Sequence, residues 1–137
     1  MSLCIWNEKF SVGSEMMDEH HRRLIFLLNR VDEAVTARRG DDVVGHAIEH
    51  LVRHAAEHLK AEELLMESLC YPALEIHRAM HRFFAAEAAL LRSMHASGQQ
   101  VRVLNIVQFL RDWFVYHIFN EDRKYGEYLG QTLNIAV

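Results

Sequence analysis

The chain has 137 residues, half of them apolar and a quarter charged, which is the composition of a single globular domain spanning residues 1–137. One proline and six glycines provide too few turns for the many strands of a sandwich or barrel, which argues against an all-β fold. The net charge of −4 leaves no basic excess for a nucleic-acid backbone, so we expect no nucleic-acid partner. Ten histidines are an unusually high number for this length and require an explanation.

The N-terminal residues and the cysteines indicate the compartment. The N-terminal residues contain Glu8 and no apolar run, so we do not expect a secretory signal. No segment is apolar over the length that a membrane span needs, and we expect no membrane insertion. Cys4 and Cys70 lack the spacing of a metal site, and reduced thiols in a cytoplasmic protein are the simplest interpretation. A disulfide between them stays open, because the sequence does not give their separation.

Four long segments have helical composition and are separated by turn residues. We predict helices over about 15–38, 42–69, 72–96 and 99–120, and a short fifth helix over about 122–129. Asp41 or Asp42 is the predicted N-cap of the second helix, and Pro72 is predicted in the first turn of the third. The short connections predict that neighbouring helices run antiparallel.

Each segment repeats apolar residues at alternating steps of three and four, which is typical of a helix packed nearly parallel to its neighbours. We therefore predict an all-α fold, an up-down-up-down antiparallel four-helix bundle with an N-terminal extended arm and a short C-terminal helix. The predicted core stripes are Met17, Leu24, Leu28, Val31 and Val35; Val44, Ala47, Leu51, Ala55, Leu65 and Leu69; Leu74, Phe84, Ala88 and Leu91; and Val103, Ile106, Leu110 and Trp113.

Polar residues fill the gaps in these stripes, and every helix contributes at least one. The pairs His58/Glu62 and His77/His81 have i,i+4 spacing, which stacks two side chains on one helix face. A buried carboxylate without a partner is very costly, and the apolar neighbours offer nothing to several imidazoles. We therefore predict that the four helices converge on a metal site with the candidate ligands His21, His58, Glu62, His77, His81 and His117.

The remaining histidines fall outside the stripes. His46, His50 and His54 form an i,i+4 ladder that we place on a solvated flank of the second helix. His95 ends the third helix. His20 adjoins His21, and since only one of two consecutive helical residues can point inward, the register of Met17 and Leu24 selects His21.

The type and number of ligands indicate which metal is bound and how many ions. Imidazole with carboxylate suits iron, manganese or zinc, and the lack of core cysteines disfavours a structural zinc site. Five histidines and a carboxylate exceed the need of one ion, so we predict a dimetal centre with Glu62 as a bridge. Asp122, five residues after His117, supplies a second bridge if the helix is locally widened there. With an oxide or hydroxide bridge as well, one coordination position stays open for a small molecule.

Six motifs follow one another along the chain. They are Trp6 to Gly13 (WNEKFSVG), Asp18-Glu19-His20-His21, His58-x-x-x-Glu62-Glu63-x-Leu65-Met66, Tyr71-Pro72, His77-x-x-x-His81, and Trp113-x-x-x-His117-Ile118-x-x-x-Asp122. In this order and spacing the chain resembles the hemerythrin family over nearly its whole length, and within that family the single-domain bacterial type, the bacteriohemerythrins.

The resemblance implies a non-haem centre of two iron ions, oxo- or hydroxo-bridged, that binds O₂ reversibly and takes small anions such as azide as surrogates. It implies an oxygen carrier, store or delivery protein rather than an enzyme, with a second protein as a possible acceptor of O₂. The family pattern divides the ligands into one iron on His77, His81 and His117, the other iron on His21 and His58 with the open position, and the bridges Glu62 and Asp122.

The chain departs from the family pattern at three positions. His20 stands where glutamine is usual, Cys70 where glycine is frequent, and Phe114 where leucine is common. On the helix Phe114 and Ile118 lie near His117, so we expect both to line the O₂ pocket, which the larger ring narrows.

Two alternative functions stay open. One is a sensor of O₂ or redox state that signals through a partner. The other is a di-iron peroxidase or an NO-handling enzyme. A ferritin-like oxidase is disfavoured, because its paired Glu-x-x-His motifs are absent from the sequence.

Overall fold

The protein is all-helical over residues 4–136, the part of the chain that the computed structural model describes, without the side chains of residues 100, 101 and 133–136. Residues 1–3 and 137, which the predicted domain and arm include, lie outside the described residues. The elements are a 3₁₀ turn at Glu8–Phe10, α1 at Glu15–Thr36, α2 at Asp41–Ser68, α3 at Leu74–Ala96, α4 at Gln100–His117, a π-helical turn at Ile118–Asp122, and α5 at Arg123–Ala136.

The four long helices form the predicted bundle. Each of them packs against two others, so that α1 contacts α2 and α4, and α3 contacts the same two helices. The up-down-up-down arrangement with a short C-terminal helix is therefore confirmed. It turns the inner faces of all four helices toward one core, where any polar residue must find a partner from another helix.

Several predicted helix ends are wrong by a few residues. The N-cap of α2 is Gly40, and Asp41 lies in the first turn, where its charge still favours the helix dipole. Pro72 lies in a turn before α3, since the amide of Leu74 donates to the carbonyl of Tyr71. The fifth helix continues past its predicted end, because an exposed glycine such as Gly130 costs a helix only about 1 kcal/mol.

The core stripes of α2, α3 and α4 differ slightly from the prediction, and in α3 Leu74 is only half-buried. In α4 the buried apolar side chains are Val103, Val107, Leu110 and Phe114, while Ile106 and Trp113 are only half-buried. In α2, Met66 is buried and Leu65 is half-buried. Steps of three and of four are both compatible with a helix, so the sequence pattern leaves the choice between adjacent positions to the packing of the neighbouring helices.

The N-terminal arm is extended on both sides of its short turn and packs along α1 and against the π-helical turn. Phe10 and Val12 are buried, and the Phe10 ring lies 4.8 Å from that of Phe119. Asp18 in α1 accepts hydrogen bonds from the hydroxyl of Ser11 and the amide of Val12. Gly126 in α5 lets the Val12 carbonyl come so close that a Cβ would overlap it.

The structure also bears on two expectations that concern membrane insertion and the cysteines. Within the described residues, no helix combines the length and the apolar character needed to cross a bilayer. Cys4 and Cys70 are both free thiols, as the simplest interpretation of the sequence predicts.

Candidate metal centre

The structure brings all of the predicted ligand residues to one place in the bundle core. They come from different elements: one histidine from α1, a histidine and a glutamate from α2, two histidines from α3, a histidine at the end of α4 and an aspartate in the π-helical turn. None of them is more than 3% exposed, and the set is His21, His58, Glu62, His77, His81, His117 and Asp122.

The ligand atoms form two groups that share one residue. Within each group the nitrogen and oxygen atoms lie within 4.8 Å of one another, which is the spacing of ligands around a single ion. The smaller group has two histidines and the larger has three. The groups are His21, His58 and Glu62, and Glu62, His77, His81, His117 and Asp122.

Glu62 faces the two groups with different oxygens. Its Oε1 lies 2.9 Å from Nε2 of His81 and 3.2 Å from Nε2 of His77. Its Oε2 lies 3.3 Å from Nε2 of His21 and 3.4 Å from Nε2 of His58. One carboxylate therefore stands between the two sets of histidines.

Asp122 likewise faces the two histidine groups with different oxygens. Its Oδ1 lies 2.9 Å from Nε2 of His117 and 3.0 Å from Nε2 of His77. Its Oδ2 lies 3.2 Å from Nε2 of His21. Each of the two carboxylates therefore presents one oxygen to each histidine group.

The widened turn after α4 explains how Asp122 reaches this position. A step of five residues does not return to the same face of a regular α-helix. Residues Ile118–Asp122 form a π-helical turn, whose wider hydrogen-bonded ring brings Asp122 round to the side of His117. The widened turn that the sequence analysis required is therefore confirmed.

The donor atoms of the centre fit a metal better than they fit one another. Nε2 of His58, Nε2 of His81 and both oxygens of Asp122 are buried without a well-directed hydrogen bond from the described residues, although opposite charges lie close to them. These atoms are close together but are not aligned for hydrogen bonds, which is the arrangement expected of ligands directed at a common metal ion. Imidazole nitrogen and carboxylate oxygen are ligands that suit iron, manganese or zinc at such a point.

The charges of the centre shift the pKa values of its members strongly. Burial lowers the pKa of His21 and of His77, but the adjacent carboxylates of Asp122 and Glu62 outweigh burial and raise each pKa to about 9. Burial raises the pKa of Glu62, yet the neighbouring His58 and His21 hold that pKa well below its usual value. Burial and Glu62 likewise raise the pKa of Asp122, and the adjoining histidines outweigh them and lower it.

Tyr125 is a partner of the centre that the sequence analysis missed. Its hydroxyl donates a 2.7 Å hydrogen bond to Oε2 of Glu62, and the side chain is fully buried. Burial and the Glu62 charge raise the pKa of Tyr125 well above its usual value, so the phenol stays protonated and can donate. The available signal was the spacing of three residues between Asp122, which ends the π-helical turn, and Tyr125, because this spacing puts two helical side chains on the same face.

Two further side chains hold the outer nitrogens of ligand histidines. Nδ1 of His81 lies 2.9 Å from a Glu63 oxygen, and Glu63 in turn pairs with Arg78 at 3.3 Å. Nδ1 of His58 lies 3.1 Å from Nδ1 of His20.

Two histidines outside the set of proposed ligands lie closer to the centre than the sequence indicates. The selection of His21 over His20 is confirmed, since His21 is fully buried, but His20 is half-buried and contacts His58. His54 was expected on a solvated flank, yet it is half-buried and bonded to the main chain of His20.

The residues predicted to line a ligand pocket are buried beside the histidines. The ring of Phe114 meets that of His21 edge-on at 5.5 Å and is 1% exposed. Ile118 is equally buried and directly follows His117. Trp113 stacks on His117 with centroids 4.6 Å apart and an angle of 11° between the rings. The role of Phe114 and Ile118 in a pocket stays a prediction.

Comparison with known proteins gives consistent matches. The model of the hemerythrin HHE cation-binding domain matches residues 12–129. Bacteriohemerythrin of Stenotrophomonas maltophilia is 29% identical over 134 residues, which cover 98% of this chain and 86% of that protein. Bacteriohemerythrin of Methylococcus capsulatus is 29% identical over 133 residues, or 95% of this chain and 99% of that one. The crystal structure of wild-type hemerythrin has a TM-score of 0.85 at 25% identity, over 93% of this chain and 98% of that chain.

Proposed function

The chain belongs to the hemerythrin family, and from this premise we propose that its buried cluster holds two iron ions and that the pair binds O₂ reversibly. The family match concerns a cation-binding domain, and the donor set of the cluster suits iron. We propose a carrier, store or delivery protein for O₂, formed by residues 1–137 as one domain.

The proposal rests on the way in which the two carboxylates face the two histidine groups. Glu62 and Asp122 each present one oxygen to the group of three histidines and the other oxygen to the group that contains His21. A carboxylate that presents one oxygen to each group can bridge two ions, whereas a site for one ion does not require the second group of histidines. Two shared carboxylates favour a pair of ions held close together.

The unequal histidine groups support an open position on one ion. We propose that His77, His81 and His117 hold one iron, and that His21 and His58 hold the other. With the same bridges on both, the second iron would have one protein ligand fewer, which would leave a position for O₂ or azide. Phe114 lies against His21 on this side, and its ring supports an apolar wall for the pocket, which Ile118 is proposed to complete.

When bound, the iron pair supplies the electrons for reversible O₂ binding. The side chains of this chain do the rest. Five imidazoles and two carboxylates would hold the pair in a centre that is at most 3% exposed, which keeps water away from it. The hydroxyl of Tyr125 donates a hydrogen bond to Oε2 of Glu62 and thereby fixes the carboxylate that both groups share. Exclusion of water and a fixed ligand set both favour release of O₂ unchanged.

A role other than catalysis is favoured because every fully buried acid or base among the described residues either is a proposed ligand or already has a hydrogen-bond partner. Among the buried ionisable side chains of the described residues, Asp18 is committed to Ser11 and Val12 of the arm. The others are the proposed ligands and Tyr125, whose phenol is bonded to Glu62. We also propose a cytoplasmic location, since free thiols at Cys4 and Cys70 suit a reducing compartment.

Reversibility of O₂ binding is the experiment that tests the proposal. The metal-free protein would be loaded with iron(II) without oxygen, then aerated and deoxygenated through several cycles while its absorption spectrum is recorded. We expect about two iron ions per chain and a visible band that appears and disappears with O₂. One ion per chain, or zinc at full occupancy without an iron-dependent spectrum, contradicts the proposed centre. Irreversible oxidation with consumption of O₂ at each cycle would assign the centre to an oxidase.

A further inference from the structure

His20 and His54 form a cluster with His58 between α1 and α2. The rings of His20 and His58 meet edge-on, with centroids 5.2 Å apart and Nδ1 atoms 3.1 Å apart. The rings of His54 and His58 are nearly parallel at 6.3 Å. His58 is buried, whereas the other two are half-buried. These contacts place two histidines that are not proposed ligands directly behind one that is.

When a metal is bound, only His58 can be the donor in the hydrogen bond between His20 and His58. Nε2 of His58 is the atom that faces Glu62 and would bind the ion. A neutral imidazole that ligates through Nε2 carries its proton on Nδ1, so His58 must donate. His20 must then accept with its own Nδ1 and carry its proton on Nε2.

His54 holds the main chain of His20 in place for this contact. A carbonyl oxygen can only accept, so the 2.9 Å contact between Nε2 of His54 and the carbonyl of His20 is an N–H donated by His54. His54 lies one helical turn before His58 on the same face of α2. The bond therefore ties α1 to α2 at the level where the His20 ring meets His58.

From this geometry we propose that His20 is a positioning residue for His58, which it holds in one tautomer and one orientation with Nε2 directed at the metal. The proposal rests on the proposed function of the centre. A ligand histidine whose outer nitrogen has a fixed partner is already oriented before the metal arrives, and loss of such a partner weakens metal binding by roughly 10–100-fold.

The other half of the centre has an outer partner of different charge. Nδ1 of His81 faces the carboxylate of Glu63, and an anion raises the basicity of the imidazole. His20 offers His58 a neutral ring instead. We therefore expect the ion on His21 and His58 to be the more weakly held of the two.

Nuclear magnetic resonance tests the direction of the hydrogen bond without any substitution. The probe is zinc, which is diamagnetic and accepts imidazole and carboxylate ligands. In the zinc-loaded, ¹⁵N-labelled protein we expect a slowly exchanging Nδ1–H proton on His58, with a scalar coupling across the bond to Nδ1 of His20. A proton on Nδ1 of His20, or the absence of this coupling, overturns the proposal.

Substitutions at His20 test the consequence for metal binding. His20→Leu removes the acceptor at similar size, and His20→Asn returns an oxygen close to the position of Nδ1. In competition with a chelator, we expect His20→Leu to lose the weaker zinc ion roughly 10–100-fold more readily, with the tighter ion unchanged. His20→Asn should restore most of the affinity. His50→Leu is the matched control, because His50 is exposed on α2 and should bind as wild type.

The outcomes separate this proposal from the proposed function. Fewer than two zinc ions on the wild-type protein would contradict the dimetal centre itself. Two ions on the wild type with unchanged binding in His20→Leu would show that His20 does not position His58. Equal weakening of both ions would indicate a general structural role and would overturn the proposal as well. If His20→Leu does not fold, the coupling measured on the wild-type protein decides.

Discussion

Tyr125 and Glu62 are joined by a buried 2.7 Å hydrogen bond although 63 residues separate them in the chain. The bond connects the C-terminal helix α5 to the carboxylate that both histidine groups share. It means that the folding of α5 and the geometry of the centre depend on each other.

Tyr125→Phe should therefore destabilise the metal-free protein. The substitution keeps the ring but removes the shortest hydrogen bond to a buried carboxylate oxygen, Oε2 of Glu62, and a bond to a charged group contributes about 1.5–3 kcal/mol. Urea unfolding of metal-free protein measures the loss in free energy of unfolding. Tyr116→Phe is the control, because Tyr116 is 64% exposed. Equal stability of the two variants would show that the Tyr125 bond contributes nothing.

Removal of the metal should lower the thermal stability of the protein. Without an ion, the five histidines and two carboxylates of the centre lie close together, and the ligating nitrogens of His58 and His81 and both oxygens of Asp122 lack a hydrogen bond from the described residues. A metal that binds only the folded state adds about 4 kcal/mol when it exceeds its dissociation constant by about 1,000-fold. Melting curves of metal-free and iron(II)-loaded protein, recorded without oxygen, measure the difference. Magnesium is the control ion, since it prefers oxygen ligands; identical midpoints with and without iron would mean that protein groups already satisfy the histidines.

Gly126→Ala should displace the N-terminal arm. A Cβ at this position would overlap the carbonyl of Val12, so the arm or α5 must move, at a cost of about 1–3 kcal/mol. Gly130→Ala in the same helix meets nothing within 4 Å and should instead stabilise the helix by up to about 1 kcal/mol. Chemical denaturation of both variants gives the comparison. The packing of the arm on α5 would be wrong if both substitutions stabilised the protein.

Phe114→Ala should open the proposed O₂ pocket. Phe114 is fully buried between His21 and Phe84, so its removal leaves a cavity that costs roughly 3–5 kcal/mol. Water and azide should then reach the centre faster, and autoxidation should accelerate at equal iron content, as stopped-flow absorption would measure. Phe109→Ala, exposed on the same helix, is the control.

Ile118→Glu tests the other residue that is proposed to form the apolar wall of the O₂ pocket. A buried carboxylate there would draw water into the pocket, so the oxygenated form should decay faster with iron content unchanged. Decay of the visible band after aeration measures this lifetime. Wild-type behaviour of both Phe114→Ala and Ile118→Glu would show that O₂ binds elsewhere.

The bundle and the positions of the ligand residues could be predicted because both follow from helical periodicity. His58 and Glu62, or His77 and His81, share a face in any regular helix, and an interruption of an apolar stripe marks the face that points inward. Asp122 was predictable only on the condition of a widened turn, because periodicity alone would have turned it away.

The outer partners could not be predicted in the same way. Whether His20 reaches His58 depends on how closely α1 approaches α2, and the register of α1 alone pointed to His21. The buried stripe of α4 was shifted by one position for a similar reason, since Val107 and Ile106 are both compatible with the helix and only the neighbouring helices decide between them. Contacts between elements are properties of their packing, which no single segment contains.

The π-helical turn at Ile118–Asp122 makes the spacing of the chain itself part of the centre. Loss of one codon within the turn would let the helix regain its regular pitch and would leave Asp122 four residues after His117, a step that keeps one helix face. Gain of one codon would instead place Asp122 six residues after His117, and Asp122 and Tyr125 would both turn away from the centre, although neither had been mutated. In a collection of natural variants, insertions of a single residue between His117 and Asp122 should therefore be rarer than deletions of a single residue there or substitutions at Asn120.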